Sequence, residues 1–185
     1  MDNSILIEEI EFWKTKISPS NPEILELAFF KVFIKFEKFI SDIFILYSTG
    51  KKSCESYCPK RKLNFLDEEH LNAIIKKENK TFINHYEAVL KLSEHIFEDN
   101  PFEIISTDMN FCSDILNMKT IRDYIAHESN HSRKLYCDRL LNGKKFIKPS
   151  DFLNSTKKSK SVSYYSYYID LMIKSTDYIL KGPAK

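Results

Sequence analysis

The chain has 185 residues, three glycines and a net charge of +2. So few glycines leave little room for β-hairpins, and so small a charge means that any nucleic-acid-binding surface must be local. Four cysteines do not form a disulfide framework in a chain this long. The sequence shows neither a signal peptide nor an uncharged apolar stretch of membrane length. We therefore expect a single all-α domain over residues 1–185, cytoplasmic and without a membrane partner.

The first predicted helix covers residues 4–17. Its apolar residues recur every three or four positions, as one face of an amphipathic helix requires. These residues are Leu6, Ile10, Trp13 and Ile17. Two prolines among polar residues follow and end the helix.

A long, aromatic-rich N-terminal helix is predicted from Pro22 to Thr49, closed by Gly50. Apolar residues cover more of its surface than a single stripe, so two sides of this helix should be buried. One side belongs to the domain core. The other is either a dimer surface or is covered by later helices, and the sequence does not decide between these alternatives.

Residues 51–65 form a predicted basic loop, which either contacts RNA phosphates or, as we favour, is a solvated connection. Helices are predicted from Asp67 to Lys77 and from residues 79–81 to Glu98. The histidines on these helices are not spaced as metal ligands, and the C-x3-C pair Cys54 and Cys58 lacks a second ligand pair. We therefore expect no metal and no cofactor.

Short additional helices are predicted within residues 102–117, before a central helix over residues 118–136 that bends near Ser129. Residues 144–154 are predicted to be a loop, and residues 161–180 the last helix. Its tyrosines stack on unpaired bases or, as we favour, pack along the apolar side of the helix with their hydroxyls at the rim.

The central helix contains the sequence RDYIAH, from Arg122 to His127. Only four of the 28 basic residues are arginines, and a rigid, permanently charged guanidinium suits phosphate. An imidazole exchanges protons near neutral pH. Asp123 stands four residues before His127, so these two side chains should touch on one face of the helix. Arg122 is offset from His127 by about 140° on an ideal helix.

This sequence resembles the R-x4-6-H signature of the HEPN superfamily (higher eukaryotes and prokaryotes nucleotide-binding). The matched residues are Arg122, His127 and the polar residue after the arginine, Asp123, where the family most often has Asn. The resemblance implies a helical bundle of the HEPN type. It also implies a metal-independent endoribonuclease of the toxin or phage-defence kind, whose catalytic residues from two subunits meet across a homodimer interface.

Further basic residues are candidates for binding RNA: Arg133, Lys134, Lys157 and Lys158. An antitoxin or another regulatory protein is expected as a second partner. Two other functions remain open from the sequence, namely a non-catalytic HEPN-like protein that binds RNA or nucleotide, and a helical partner-binding protein.

Overall fold

The computed structural model of the chain describes residues 1–18, 21–78, 86–107 and 109–183. This part of the chain contains nine helices and one short two-stranded ribbon, so the predicted all-α class is confirmed. The helices are α1 (Ser4–Lys14), α2 (Pro22–Ser48), α3 (Glu68–Glu78), α4 (Tyr86–Ile96), α5 (Glu103–Thr107), α6 (Met109–His127), α7 (Asn130–Leu140), α8 (Pro149–Asn154) and α9 (Tyr164–Lys181). The ribbon pairs β1 (Thr156–Lys157) with β2 (Val162–Ser163) antiparallel.

Helix α2 is the centre of the bundle. Helices α1, α4, α6, α8 and α9 all pack against it. Its phenylalanines are fully buried at Phe29, Phe33, Phe36 and Phe44, and burying each contributes about 1.5–3 kcal/mol. Of the two alternatives for the second apolar side of α2, the structure supports cover by the chain's own helices.

The helices with clear apolar periodicity lie close to their predicted bounds. Helix α2 differs from its prediction by one residue, whereas α1 ends three residues early. The Asp67 carboxylate accepts a hydrogen bond from the backbone N–H of His70 (2.8 Å) and so caps α3 as predicted. The predicted start of the next helix, at residues 79–81, lies outside the described residues.

The basic loop over residues 51–65 is tied to the bundle. The Arg61 guanidinium donates to the Ser48 carbonyl oxygen (3.0 Å) and lies against Gly50, whose φ is +79°. Glycine adopts this left-handed conformation without strain, and a Cβ at Gly50 would displace the guanidinium, which would stand 2.5 Å from it. These contacts favour a connection over an RNA-binding loop, but the connection is packed against the bundle at Arg61 and is not solvated along its whole length.

The predicted central helix is wrong at both ends. Helix α6 begins at Met109 and stops at His127, and α7 then folds back along it. Glu128 takes the left-handed conformation, with φ +45°. Ser129 caps α7, because its hydroxyl accepts from the backbone N–H of Ser132 (3.1 Å) and the Ser132 hydroxyl accepts from the Ser129 N–H (3.1 Å). This turn reverses the chain instead of bending one helix.

Two further corrections concern the C-terminal part. The predicted loop over residues 144–154 contains the short helix α8, and the β1–β2 ribbon forms without a glycine because Ser161 adopts φ +56°. The preferred interpretation of the α9 tyrosines is confirmed for their rings: Tyr168 is fully buried and the Tyr164 ring stacks on Phe152 at 4.5 Å. It is wrong for two hydroxyls, since those of Tyr165 and Tyr168 are buried and do not lie at the rim. Within the described ranges, no helix has both the length and the apolarity needed to cross a membrane.

Candidate functional site between α6 and α7

The three candidate catalytic residues line one open cleft of about 450 Å³ between α6 and α7. Met118 and Ile121 anchor α6 in the core and are fully buried. Arg122 and His127 reach the same cleft despite their angular offset, because the cleft extends around the surface of α6 up to its C-terminal end. The lining residues are Glu87, Lys119, Arg122, Asp123, His127, Ser129, His131, Ser132 and Leu135.

Arg122 is held between two carboxylates. Its guanidinium donates to Glu37 Oε2 on α2 (2.6 Å) and to Asp123 Oδ1 (2.5 Å). It also lies 5.6 Å from the ring of Phe33, one helical turn before Glu37. The side chain of Arg122 is 13% exposed and that of Glu37 is 9% exposed, so this ion pair is largely shielded from water. The guanidinium is therefore fixed in orientation at the edge of the cleft.

Asp123 does not make the contact that its spacing predicts. Its carboxylate pairs with Lys119 Nζ (2.9 Å), one turn earlier on α6, and with Arg122. The described residues supply no hydrogen bond or ion pair that joins Asp123 to His127. Two cations close to the carboxylate satisfy it better than an exposed imidazole does. Asp123 therefore positions Arg122 and leaves the imidazole to the solvent.

The cleft contains a second imidazole that the sequence-based reasoning did not use. His127 is the last residue of α6, and His131 lies in the first turn of α7. Both are exposed, and both line the cleft. The tight turn at Glu128 and Ser129 brings both imidazoles to the same opening of the cleft. Two imidazoles near one guanidinium can remove a proton at one atom and supply one at another.

The four candidate RNA-binding residues lie outside the lining of this cleft. Arg133 stacks its guanidinium on the Phe146 ring at 4.4 Å, and Lys134 is exposed on α7. Lys157 pairs with both oxygens of Asp114 (3.0 and 3.1 Å), which leaves it less available for a phosphate. Lys158 is exposed at the tip of the ribbon.

Other residues of the site were missed by sequence reasoning for different reasons. Lys119 and Asp123 are four apart on one helix, so their ion pair was detectable. Glu37 is 85 residues from Arg122, and its only signal was a carboxylate within a buried aromatic helix. His131 had no signal until the chain reversal was known.

The arrangement can stabilise a developing negative charge with Arg122 and transfer protons with the two imidazoles. Among the described residues, no three His, Cys, Asp or Glu side chains group as ligands for a metal ion. Comparison of the chain with protein-family models, curated proteins and solved structures found no match. The function must therefore be inferred from the cleft and from the sequence resemblance at Arg122, Asp123 and His127.

Proposed function

We propose that the protein is a metal-independent endoribonuclease of the HEPN type, acting as a homodimer in a toxin or phage-defence role. The observation that carries this proposal is the shared cleft of Arg122, Asp123 and His127. A guanidinium and a proton-transferring imidazole at one opening are the two groups that such a reaction needs.

In the proposed reaction, an imidazole takes the proton from a 2′-hydroxyl, and that oxygen attacks the adjacent phosphorus. The bond from phosphorus to the 5′-oxygen breaks, and this oxygen leaves with a proton from an acid. The products are a 2′,3′-cyclic phosphate and a 5′-hydroxyl. Arg122 stabilises the charge on the non-bridging oxygens, and His127 transfers protons. His131 is the second proton-transferring group available within the same chain.

The homodimer supplies a second copy of these groups. A two-fold axis that brings two clefts together would place two copies of Arg122 and His127 around one phosphate. Specific activity should then fall on dilution, in step with dissociation of the dimer measured by light scattering. Activity that stays constant while the protein becomes monomeric would remove the dimer from the proposal.

The decisive test is cleavage of single-stranded RNA in EDTA. Arg122→Ala and His127→Ala should each lose about 100-fold or more in rate, because each removes a group that acts on the transition state. His95→Ala is the matched control, since His95 is an exposed histidine on α4 outside the cleft. Equal rates in all four proteins would refute the assignment.

One observation favours a second function, a non-catalytic protein that binds RNA or nucleotide. Arg122 already has two carboxylate partners, and a phosphate must displace Asp123 to reach it fully. Under this alternative, binding is salt-sensitive and yields no products. Asp123→Asn should then tighten RNA binding a few-fold, without any cleavage at high protein concentration.

A further inference from the structure

The catalytic cleft continues as a groove along α7. A second hollow, of about 170 Å³, lies between α6 and α7 and shares five of its lining residues with the first. It extends away from the histidines, past Leu116 and Thr120 on α6, to Arg139 on α7. The antiparallel packing of the two helices thus makes one continuous groove, with imidazoles at one end and a guanidinium at the other.

Arg139 is suited to bind an anion at the far end. It is exposed in the last turn of α7, and no other described residue forms an ion pair or hydrogen bond with its side chain. It is one of only four arginines in a chain that otherwise uses lysine. Its fork of N–H donors matches the geometry of a phosphate.

The length of the groove fits a short run of nucleotides. His131 and Arg139 are eight residues apart on α7, which is about 12 Å along the helix axis. Neighbouring phosphates of one strand lie farther apart than the rise of about 3.4 Å along a helix axis, so this distance spans roughly two to three phosphates. We propose that the groove is the path of the RNA on one side of the cleaved bond, and that Arg139 binds a phosphate about two to three nucleotides away. This inference rests on the proposed function.

The charges around the groove are mixed but favour this path. Glu87 and Asp123 line the groove and oppose a phosphate, while Lys119 lies 2.9 Å from Asp123 and 3.9 Å from Glu87 and partly neutralises both. Residues 133–148, which include most of α7 and the segment after it, hold six basic residues, Arg139 among them, and one acidic residue. The stacking of Phe146 on Arg133 holds the segment after α7 beside this helix.

The test compares three single-charge variants on a non-cleavable 2′-O-methyl single strand of 12 nucleotides. Arg139→Ala should weaken binding about tenfold and lower the salt dependence of log K by about 0.7, the value for one phosphate contact. Glu87→Gln should tighten binding. Lys14→Ala, which removes one positive charge from α1, should change binding less than twofold. Thermal melting shows whether each variant is folded. Arg139→Lys, which keeps the positive charge, is the conservative control for a loss of folding at this position.

Cleavage of substrates of different length gives the second readout. Arg139→Ala should raise KM for a 12-nucleotide RNA and leave cleavage of a dinucleotide unchanged, because only the longer substrate reaches the far end. A variant that binds the 12-mer like Lys14→Ala, or that loses both substrates equally, overturns the groove assignment. A wild-type protein that binds with the expected Arg139 dependence but cleaves nothing overturns the nuclease and leaves the binding path standing.

Discussion

Helix α6 makes two similar ion clusters, one near each end, and they differ in what surrounds them. Near its C-terminal end, Arg122 joins Glu37 and Asp123 beside a phenylalanine ring. Nearer its start, Asp114 joins Lys157 and accepts a hydrogen bond from the Tyr167 hydroxyl (2.6 Å), with Lys157 lying 3.6 Å from the Tyr167 ring.

Both clusters connect α6 to another element through a carboxylate, a cation and an aromatic ring. The Asp114 cluster ties the β1–β2 ribbon and α9 to α6, and no histidine is among its contacts in the described residues. The Arg122 cluster borders an open cleft with two imidazoles. Burial and charge pairing are therefore shared by both. The Arg122 cluster differs because it borders solvent and lies beside titratable histidines. This difference makes it the candidate site, whereas the Asp114 cluster has a structural role.

The largest expected effect comes from Glu37→Ala. It leaves a shielded guanidinium with one carboxylate partner fewer, which should destabilise the fold by about 2–4 kcal/mol in urea unfolding. RNA cleavage at low temperature, where the variant stays folded, should also fall because Arg122 loses its orientation. Glu37→Gln, which keeps the shape, should lose less of both. A change in stability below about 1 kcal/mol would mean that the pair does not fix Arg122.

Asp114→Ala comes next. It removes the shared acceptor of Lys157 and Tyr167, so unfolding should become easier by about 2–3 kcal/mol. Cleavage per folded molecule should not change, because this cluster is outside the cleft. Stability and activity are measured on the same preparation. A folded Asp114→Ala protein without activity would contradict the division between the two clusters.

Tyr167→Phe should cost about 1 kcal/mol, since it removes one hydrogen bond to a carboxylate and keeps the ring under Lys157. Tyr165→Phe is the matched control on the same helix. The Tyr165 hydroxyl is buried without a hydrogen-bond partner among the described residues, so its removal should leave the free energy of unfolding unchanged or raise it slightly. Equal losses in the two variants would show that the bond to Asp114 contributes nothing.

The last prediction concerns the contribution of one buried tyrosine of α9 to the pH dependence of the free energy of unfolding. Burial raises the pKa of Tyr165 to about 12, from an ordinary value near 10. Between pH 10 and 12 the unfolded chain loses this proton while the folded chain keeps it, so stability is complete below pH 10 and falls as the pH rises. Unfolding of Tyr165→Phe should depend less steeply on pH in this window. If the free energy of unfolding of Tyr165→Phe depends on pH as steeply as that of the wild type, groups other than Tyr165 cause the pH dependence.

The sequence predicted what is local and periodic. Helices α2 and α3 follow from apolar spacing, a proline near the start and an aspartate cap, and Arg122, Asp123 and His127 were found as neighbours on one helix. The break at Glu128 was missed because glutamate rarely adopts a left-handed conformation, and because Ser132 stands where a capping glutamate or glutamine would have been recognised.

The rest of the site depends on distant pairing. Glu37 meets Arg122 only when α2 packs on α6, and Arg139 joins the groove only when α7 reverses. Periodicity also could not show that Asp123 prefers Lys119 to His127, since both lie one turn away. Competition between two partners at equal spacing is decided by the charge and exposure of each group.

The two-residue connection at Glu128 and Ser129 also determines how α7 is rotated relative to α6. A longer connection would let α7 rotate about its own axis and slide along α6, because one left-handed residue and one capping serine would no longer fix the reversal. A single inserted glycine should therefore loosen the placement of His131 and Arg139 together, while Arg122 and His127 keep their places. The phase of one helix relative to the other is thus set by the shortness of their link.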